Sequence, residues 1–363
     1  MSTARKIHRI AGDFSMRRGG VLRSPEIAYE TWGKLSEASD NAVMIFTGLS
    51  PSAHASSSAD DPSPGWWEQI VGPGRAIDTT RYFVICVNSL GSCFGSTGAA
   101  SINPDTGEPY RLQFPVLSLE DIASGGHAVM QALGLERLHT VLGCSMGGLT
   151  ALAFAIMYPE ATSSLVSVSS GARARPFAIA LRSLQREMIR KDEQWEQGNY
   201  PLGAGPIEGM RLARKLGMIT YRSAGEWEQR FGRERVAAEH KIGDAFGLDF
   251  EVESYLEAHA RKFTGQFDPN CYLYLSRAMD LFDLAEHGGT VERSLSCLRL
   301  KRALIVGVNS DILFPIDMQA ALAKGLEAPG REVTFEALDS IQGHDSFLVD
   351  MDRFRPVFAN FFD

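Results

Sequence analysis

The chain has 363 residues, 44% of them hydrophobic and 22% charged, with a formal net charge of −8. That is an ordinary composition for a protein able to bury a full core, and the acidic balance argues against a general nucleic-acid or anionic-membrane surface. Apolar runs fall well short of the roughly 20 residues that span a bilayer. The polar start MSTARKIHRIAGDFSMRRGG has no signal-peptide apolar core, so a cytoplasmic protein is expected. The cysteines Cys86, Cys93, Cys144, Cys271 and Cys297 form no CxxC pair and no zinc spacing. Reduced thiols and no metal site are therefore expected.

In chain order, AVMIFTGL (42–49) is a continuous apolar run ending in turn residues. The Ser/Pro/Asp-rich stretch 50–67 follows, a long loop whose paired tryptophans predict a packed end. YFVICVNSLG (82–91) is a second apolar run, and LEDIASGGHAVMQALGL reads as a helix. HTVLGC (139–144), a helical GGLTALAFAIMYP and SSLVSVSSG (163–171) come next. RALIVGVNSD (302–311) and the weaker EVTFEALDS (332–340) complete the set. Continuous rather than alternating hydrophobicity marks strands buried on both faces. Strand–helix alternation then predicts a mostly parallel sheet covered by helices.

Between 173 and 295 the strand pattern stops and helical patterns take over. The expectation is a catalytic α/β domain formed by 1–172 and 296–363, with 173–295 inserted as a helical lid over the sheet's C-terminal edge. In PFAIALRSLQREMIRKDEQW, Phe177, Leu181, Leu184 and Met188 share one helix face, with Arg182, Arg186 and Arg190 opposite.

The chemistry-bearing stretch is GCSMGG (143–148), at the seam between the HTVLGC strand and the following helix. G-x-S-x-G alone is a weak signal. Its strand-to-helix setting, with Gly147, Gly148 and Ala151 at the crossing, predicts a nucleophile elbow that lifts the Ser145 hydroxyl out of the sheet. The Met146 amide would then point at a developing oxyanion. Cys144 is read as a packing residue, because the elbow exposes its central residue alone. A serine needs a base, and the acid and histidine should follow on loops after late strands. Asp311, ending RALIVGVNSD, and His344, in IQGHDSF, have those placements; Asp317 is a rival for the acid. FTGLSPSAH (46–54) is the candidate loop for a second oxyanion donor, the Leu49 amide, with a plain turn at Gly48 as the alternative.

With these residues in place, the chain resembles the homoserine O-acetyltransferase family, amino-acid acyltransferases of the α/β-hydrolase fold. YETWG (29–33), NSLGSCFGSTGAASINPDTGEPY (88–110), FPVLSLEDI (114–122), GCSMGG, LARKLGMITYRS (212–223) and GHDSF (343–347) carry the resemblance, in order along almost the whole chain. The family implies a double displacement: Ser145 takes an acyl group from acyl-CoA and passes it to a small hydroxy amino acid, with His344 as base and acid, oriented by Asp311. By position, Arg214 should bind the amino acid's carboxylate, with Arg211 as its competitor, and Asp345 its ammonium. The resemblance implies no cofactor beyond the acyl-CoA co-substrate, and a homodimer built from lid helices.

GLSPSAHA (48–55), NSLGSC (88–93) and GSTGAAS (95–101) look more like the serine O-succinyltransferase branch. Gly48, Leu49, Ser50 and Pro51 are then expected to set amino-acid specificity. The related homoserine succinyltransferases carry an arginine two residues after the triad aspartate, where this chain has Leu313. Another cation must therefore meet a succinyl carboxylate. Arg186 is the expected one; a solvated arginine face is the alternative. A plain esterase shares the triad and remains the competing class.

Overall fold

The computed structural model describes residues 4–237 and 245–363. Its central sheet contains β1 (Lys6–Arg9), β2 (Glu26–Trp32), β3 (Ala42–Phe46), β4 (Phe83–Val87), β5 (Leu138–Cys144), β6 (Thr162–Val168), β7 (Arg302–Val308) and β8 (Glu332–Leu338). Their spatial order is β1-β2-β4-β3-β5-β6-β7-β8. β1–β2 and β2–β4 pair antiparallel; the remaining pairs are parallel. The six apolar runs became β3 to β8. β1 and β2 were not expected: β1 is largely exposed at the sheet edge, and β2 mixes buried with half-buried positions.

Pleating sends successive side chains to opposite faces, so each continuous run feeds two cores. Met44 and Phe46, Val141, Leu165 and Ile305 belong to one cluster. Val43 and Ile45, Leu142, Val166 and Leu304 belong to the other. The first face is covered by α1 (Leu119–Ala132) and α2 (Met146–Met157). α1 starts at a capping box, where Ser118 Oγ accepts from the Asp121 amide (3.2 Å) and Asp121 Oδ2 accepts from the Ser118 amide (2.8 Å).

From β6 the chain passes into α3 (Pro176–Lys191), α4 (Ile207–Tyr221), α5 (Ala224–Phe231), α6 (Glu251–Phe263), α7 (Pro269–Leu281) and α8 (Val291–Ser296). It returns through β7, α9 (Ile316–Leu326), β8, the short α10 (Ser346–Val349) and α11 (Met351–Phe362), whose phenylalanines pack on the second face of the sheet. Among the described residues no helix is long and apolar enough to cross a membrane.

Of the two readings of the arginine stripe on α3, a solvated face or one turned inward, Arg182 and Arg186 take the inward one, whereas Arg190 is exposed. On α3 the inward face is Ala178, Arg182, Gln185 and Ile189, while Phe177 and Leu184 are exposed. The reason lies across from α3: α7 presents Asp280 and Ser276, which bond Arg182 and Arg186. A carboxylate on the partner helix makes the arginine face the one that packs.

Candidate active site

Ser145 stands between β5 and α2 with φ 55° and ψ −121°, a strained backbone that a side-chain-bearing residue adopts only where its surroundings hold it there. The Ser145 amide donates to Val168 O on the next strand (2.9 Å). Gly147 permits the close crossing: a Cβ there would lie 2.1 Å from Phe46 O. Cys144 is buried in the second core and burial pushes its thiol well up, which keeps it protonated and inert.

Asp311 follows β7. Its Oδ1 accepts from the amides of Leu313 (2.9 Å) and Phe314 (3.0 Å), which fixes the carboxylate. Its Oδ2 lies 2.8 Å from His344 Nδ1, and His344 Nε2 lies 2.8 Å from Ser145 Oγ. The rival Asp317 is exposed and pairs with Arg175 at 2.7 Å. Gly343, just before the histidine, has φ 68°, and a Cβ there would meet the backbone of Tyr221, Arg222 and Ser223 at 2.8 Å. The histidine loop is thereby pressed against the C-terminus of α4, so the helical insertion bears directly on the triad.

Burial disfavours the His344 imidazolium, but the Asp311 charge and hydrogen bond outweigh that, and the pKa stands above the ordinary histidine value. Phe314 stacks beside the ring, with centroids 5.4 Å apart. The arrangement is a serine hydroxyl, a histidine within hydrogen-bond reach and a buried carboxylate on the far side of the ring, the geometry that a nucleophile, its base and an orienting acid require.

Ser145 and His344 line a cavity of about 100 Å³ with Gly48, Leu49, Ser50, Pro51 and Asp345. Leu181, Arg182, Gln185, Tyr221, Tyr272 and Met279 line it from α3, α4 and α7. Helices α3, α4 and α7 of the segment between β6 and β7 thus form part of the wall beside Ser145. Leu49, one candidate oxyanion donor, lines the cavity, and Met146, the other, directly follows Ser145 at the start of α2. Trp66 also lines it and donates from Nε1 to Ser52 O (3.1 Å), while Trp67 is buried and donates to Phe347 O (2.9 Å). The tryptophan pair does pack, as its sequence suggested.

Two expected residues sit elsewhere. Arg214 lines an adjacent cavity of about 300 Å³ that shares Tyr221 and Asp345 with the first. It stacks over Phe263 at 4.5 Å and makes no ion pair among the described residues. Its competitor Arg211 is bound to Glu208 (2.7 Å) and Glu257 (2.5 Å). Arg186 is absent from both cavity walls: it is held behind the first by Asp280 (2.7 Å) and Ser276 (2.9 Å). The arginine on the wall is Arg182, one helical turn before Arg186 on the same stripe. Arg222, also unforeseen, lies 3.5 Å from Asp345. Burial raises the Asp345 pKa, and the charges of His344, Arg222 and Arg214 offset this only in part.

The elbow, the strand order and the ordered triad define a nucleophilic enzyme of the α/β-hydrolase class. The α/β hydrolase fold family matches residues 41–350. The chain is 56% identical over 362 residues, 99% of each chain, to a serine O-succinyltransferase of Litchfieldella anticariensis. It is 55% identical to one of Stenotrophomonas maltophilia, covering 99% of this chain and 97% of that protein. Among solved structures, a homoserine O-acetyltransferase from Bacillus anthracis superposes with a TM-score of 0.90 at 26% identity, covering 99% of this chain and 97% of that one. The chain belongs to the α/β hydrolase fold family and, within it, to the family of the serine O-succinyltransferases.

Proposed function

We propose that the protein moves the succinyl group of succinyl-CoA to the side-chain hydroxyl of L-serine through an acyl-Ser145 intermediate. The observation that carries the chemistry is the Ser145–His344–Asp311 chain of hydrogen bonds opening into a covered cavity. Support for the substrates comes from the full-length relatives named serine O-succinyltransferase. Ser145 Oγ attacks the thioester carbonyl while His344 takes its proton. The C–S bond breaks and the thiolate leaves with that proton. The amino acid's hydroxyl then gives its proton to His344 and attacks the acyl carbon, and Ser145 recovers the proton as the ester departs. The Leu49 and Met146 amides would stabilise the oxyanion of each tetrahedral intermediate.

Asp345 would hold the ammonium of serine and Arg214 its carboxylate, one fixed charge of each sign for a zwitterion. Both face the cavity adjoining the nucleophile across Tyr221. The loop 48–51, beside Ser145, would set how deeply the hydroxyl reaches. A homodimer through the insertion is part of this reading: Phe177 and Leu184 on α3 and Leu212 and Ile219 on α4 expose apolar side chains to solvent. A cytoplasmic location fits the acyl-CoA donor and the free cysteines.

Measuring CoA release with serine or homoserine, each with succinyl-CoA and acetyl-CoA, tests the function. Highest kcat/KM with serine and succinyl-CoA is expected. A preference for homoserine and acetyl-CoA overturns the substrates, and release that needs no amino acid marks a hydrolase.

A further inference from the structure

The cavity wall carries a charge that its surroundings do not balance. Arg182 and Arg186 share one carboxylate, Asp280: Arg182 Nε lies 2.6 Å from Oδ1 and Arg186 Nη2 lies 2.7 Å from Oδ2. Arg186 also donates from Nη1 to Ser276 Oγ (2.9 Å). Two cations on one anion leave a net charge of +1. Arg182 is 7% exposed, and its Nη2 is buried with no hydrogen-bond partner among the described residues. A buried guanidinium corner left unbonded is costly, and one on the wall of a cavity is a ready partner for an anionic ligand.

The direction of that corner matters. Arg182 lines the cavity that holds Ser145, and its charge is felt at His344, Tyr221 and Tyr272. Much of the neighbouring wall is apolar: Leu49, Leu181, Met279, Leu313, Phe314 and Phe347. Of the carboxylates near the nucleophile, Asp311 is committed to His344, and Asp345 lies beside Arg222. Neither forms an ion pair with Arg182 among the described residues.

We infer that Arg182 receives the terminal carboxylate of the acyl group while its carbonyl is bonded to Ser145. The inference rests on the succinyl-donor reading above and names the residue that reads the donor. Planar guanidinium and carboxylate form charge-assisted, directional hydrogen bonds, and acetyl lacks the carboxylate that would complete the pair. Asp280 and Arg186 act through Arg182: Asp280 anchors Nε and so aims Nη2, and Arg186 holds Asp280. Arg186, the cation expected from sequence, is thus a positioning residue one helical turn behind the wall.

The test is the first half-reaction alone, acylation of Ser145 followed by intact-protein mass, with no amino acid present. This separates Arg182 from any part in serine binding. Arg182→Met leaves the Arg186–Asp280 pair neutral and intact, so a folded variant is expected; a thermal melt checks it. Arg182→Lys keeps the charge without the fork and serves if the methionine variant does not fold. In Arg182→Met the ratio of succinyl-CoA to acetyl-CoA acylation rates should fall about 100-fold, with a smaller fall in Arg182→Lys. If the wild type prefers succinyl-CoA and the ratio is unchanged in both variants, Arg182 is not the reader. If the wild type shows no preference for succinyl-CoA, the donor reading fails and this assignment with it.

Discussion

His344 Nε2 lies 2.8 Å from Ser145 Oγ, although 199 residues separate the two in sequence. Helices α3 to α8 lie between them in the chain, and α3, α4 and α7 contribute to the wall of their cavity. The pair is joined because β5, β6, β7 and β8 are consecutive parallel strands, so the segments after β5, β7 and β8, which carry Ser145, Asp311 and His344, leave the same edge of the sheet. Ser145→Ala should remove the one nucleophile while leaving the fold intact. Incubation with succinyl-CoA alone should shift the wild-type mass by one succinyl unit and leave Ser145→Ala unshifted. An adduct of full yield in the variant would place the nucleophile elsewhere.

The pH dependence follows from the raised His344 pKa. The base must be neutral to accept a proton, so acylation should climb as pH rises through a value above the ordinary histidine pKa of about 6.5. Asp311→Asn removes the charge that sustains the shift. Its acid limb should move to lower pH while the rate drops by about 10⁴. The same shift has a stability consequence of fixed sign. Because the folded state favours the imidazolium, the contribution is complete below the unfolded pKa and is lost as pH rises through the folded one. An acylation limb lying below the ordinary value would contradict the geometry of the Asp311–His344 pair.

Gly147 couples the turn at Ser145 to the end of β3 and the loop after it. The Cβ of an alanine there would meet Phe46 O at 2.1 Å and Thr47 O at 3.0 Å, both backbone atoms. Neither can swing aside, so β3's end and the following Gly48–Leu49 must move. Gly147→Ala should cost about 1–3 kcal/mol of stability. It should also slow acylation on the order of 100-fold, through misplacement of the Leu49 amide by about 1 Å. Thermal melting and single-turnover acylation, read together, check both parts.

The central strands were legible because a strand buried on both faces leaves an unbroken apolar run. β1 and β2 were not, since β1 is largely exposed and β2 has half-buried positions among its buried ones. The triad was legible for a related reason: each member ends or follows a readable strand. Periodicity left the arginine face of α3 open between solvent and the interior, and could not single out Arg182, because it carries no information about the partner surface. What turns Arg182 inward is Asp280, 98 residues away. Nothing in the spacing of α3 itself announces a carboxylate on another helix. Arg222 was missed likewise, as its contact with Asp345 joins the end of α4 to the loop after β8.

Arg214 and Asp345 are expected to act on the second half-reaction. Among the described residues Arg214 has no carboxylate partner, and it stands over Phe263 and Tyr221 at 4.5 and 5.9 Å. Its charge is available to a ligand and held in place by aromatic faces. Asp345 is shared by the two cavities, so a zwitterion bound between it and Arg214 would present its hydroxyl toward Ser145. Arg214→Leu and Asp345→Asn should each raise KM for the amino acid, or lower its kcat/KM, by at least about 100-fold. Acylation of Ser145 by succinyl-CoA should stay within a few fold of wild type in Arg214→Leu. Asp345→Asn should shift that step's acid limb slightly downward as well, because the Asp345 charge helps to raise the His344 pKa. Loss of acylation itself in folded Arg214→Leu would mean that this arginine serves the acyl donor, and that the two substrates do not divide the cavities in this way.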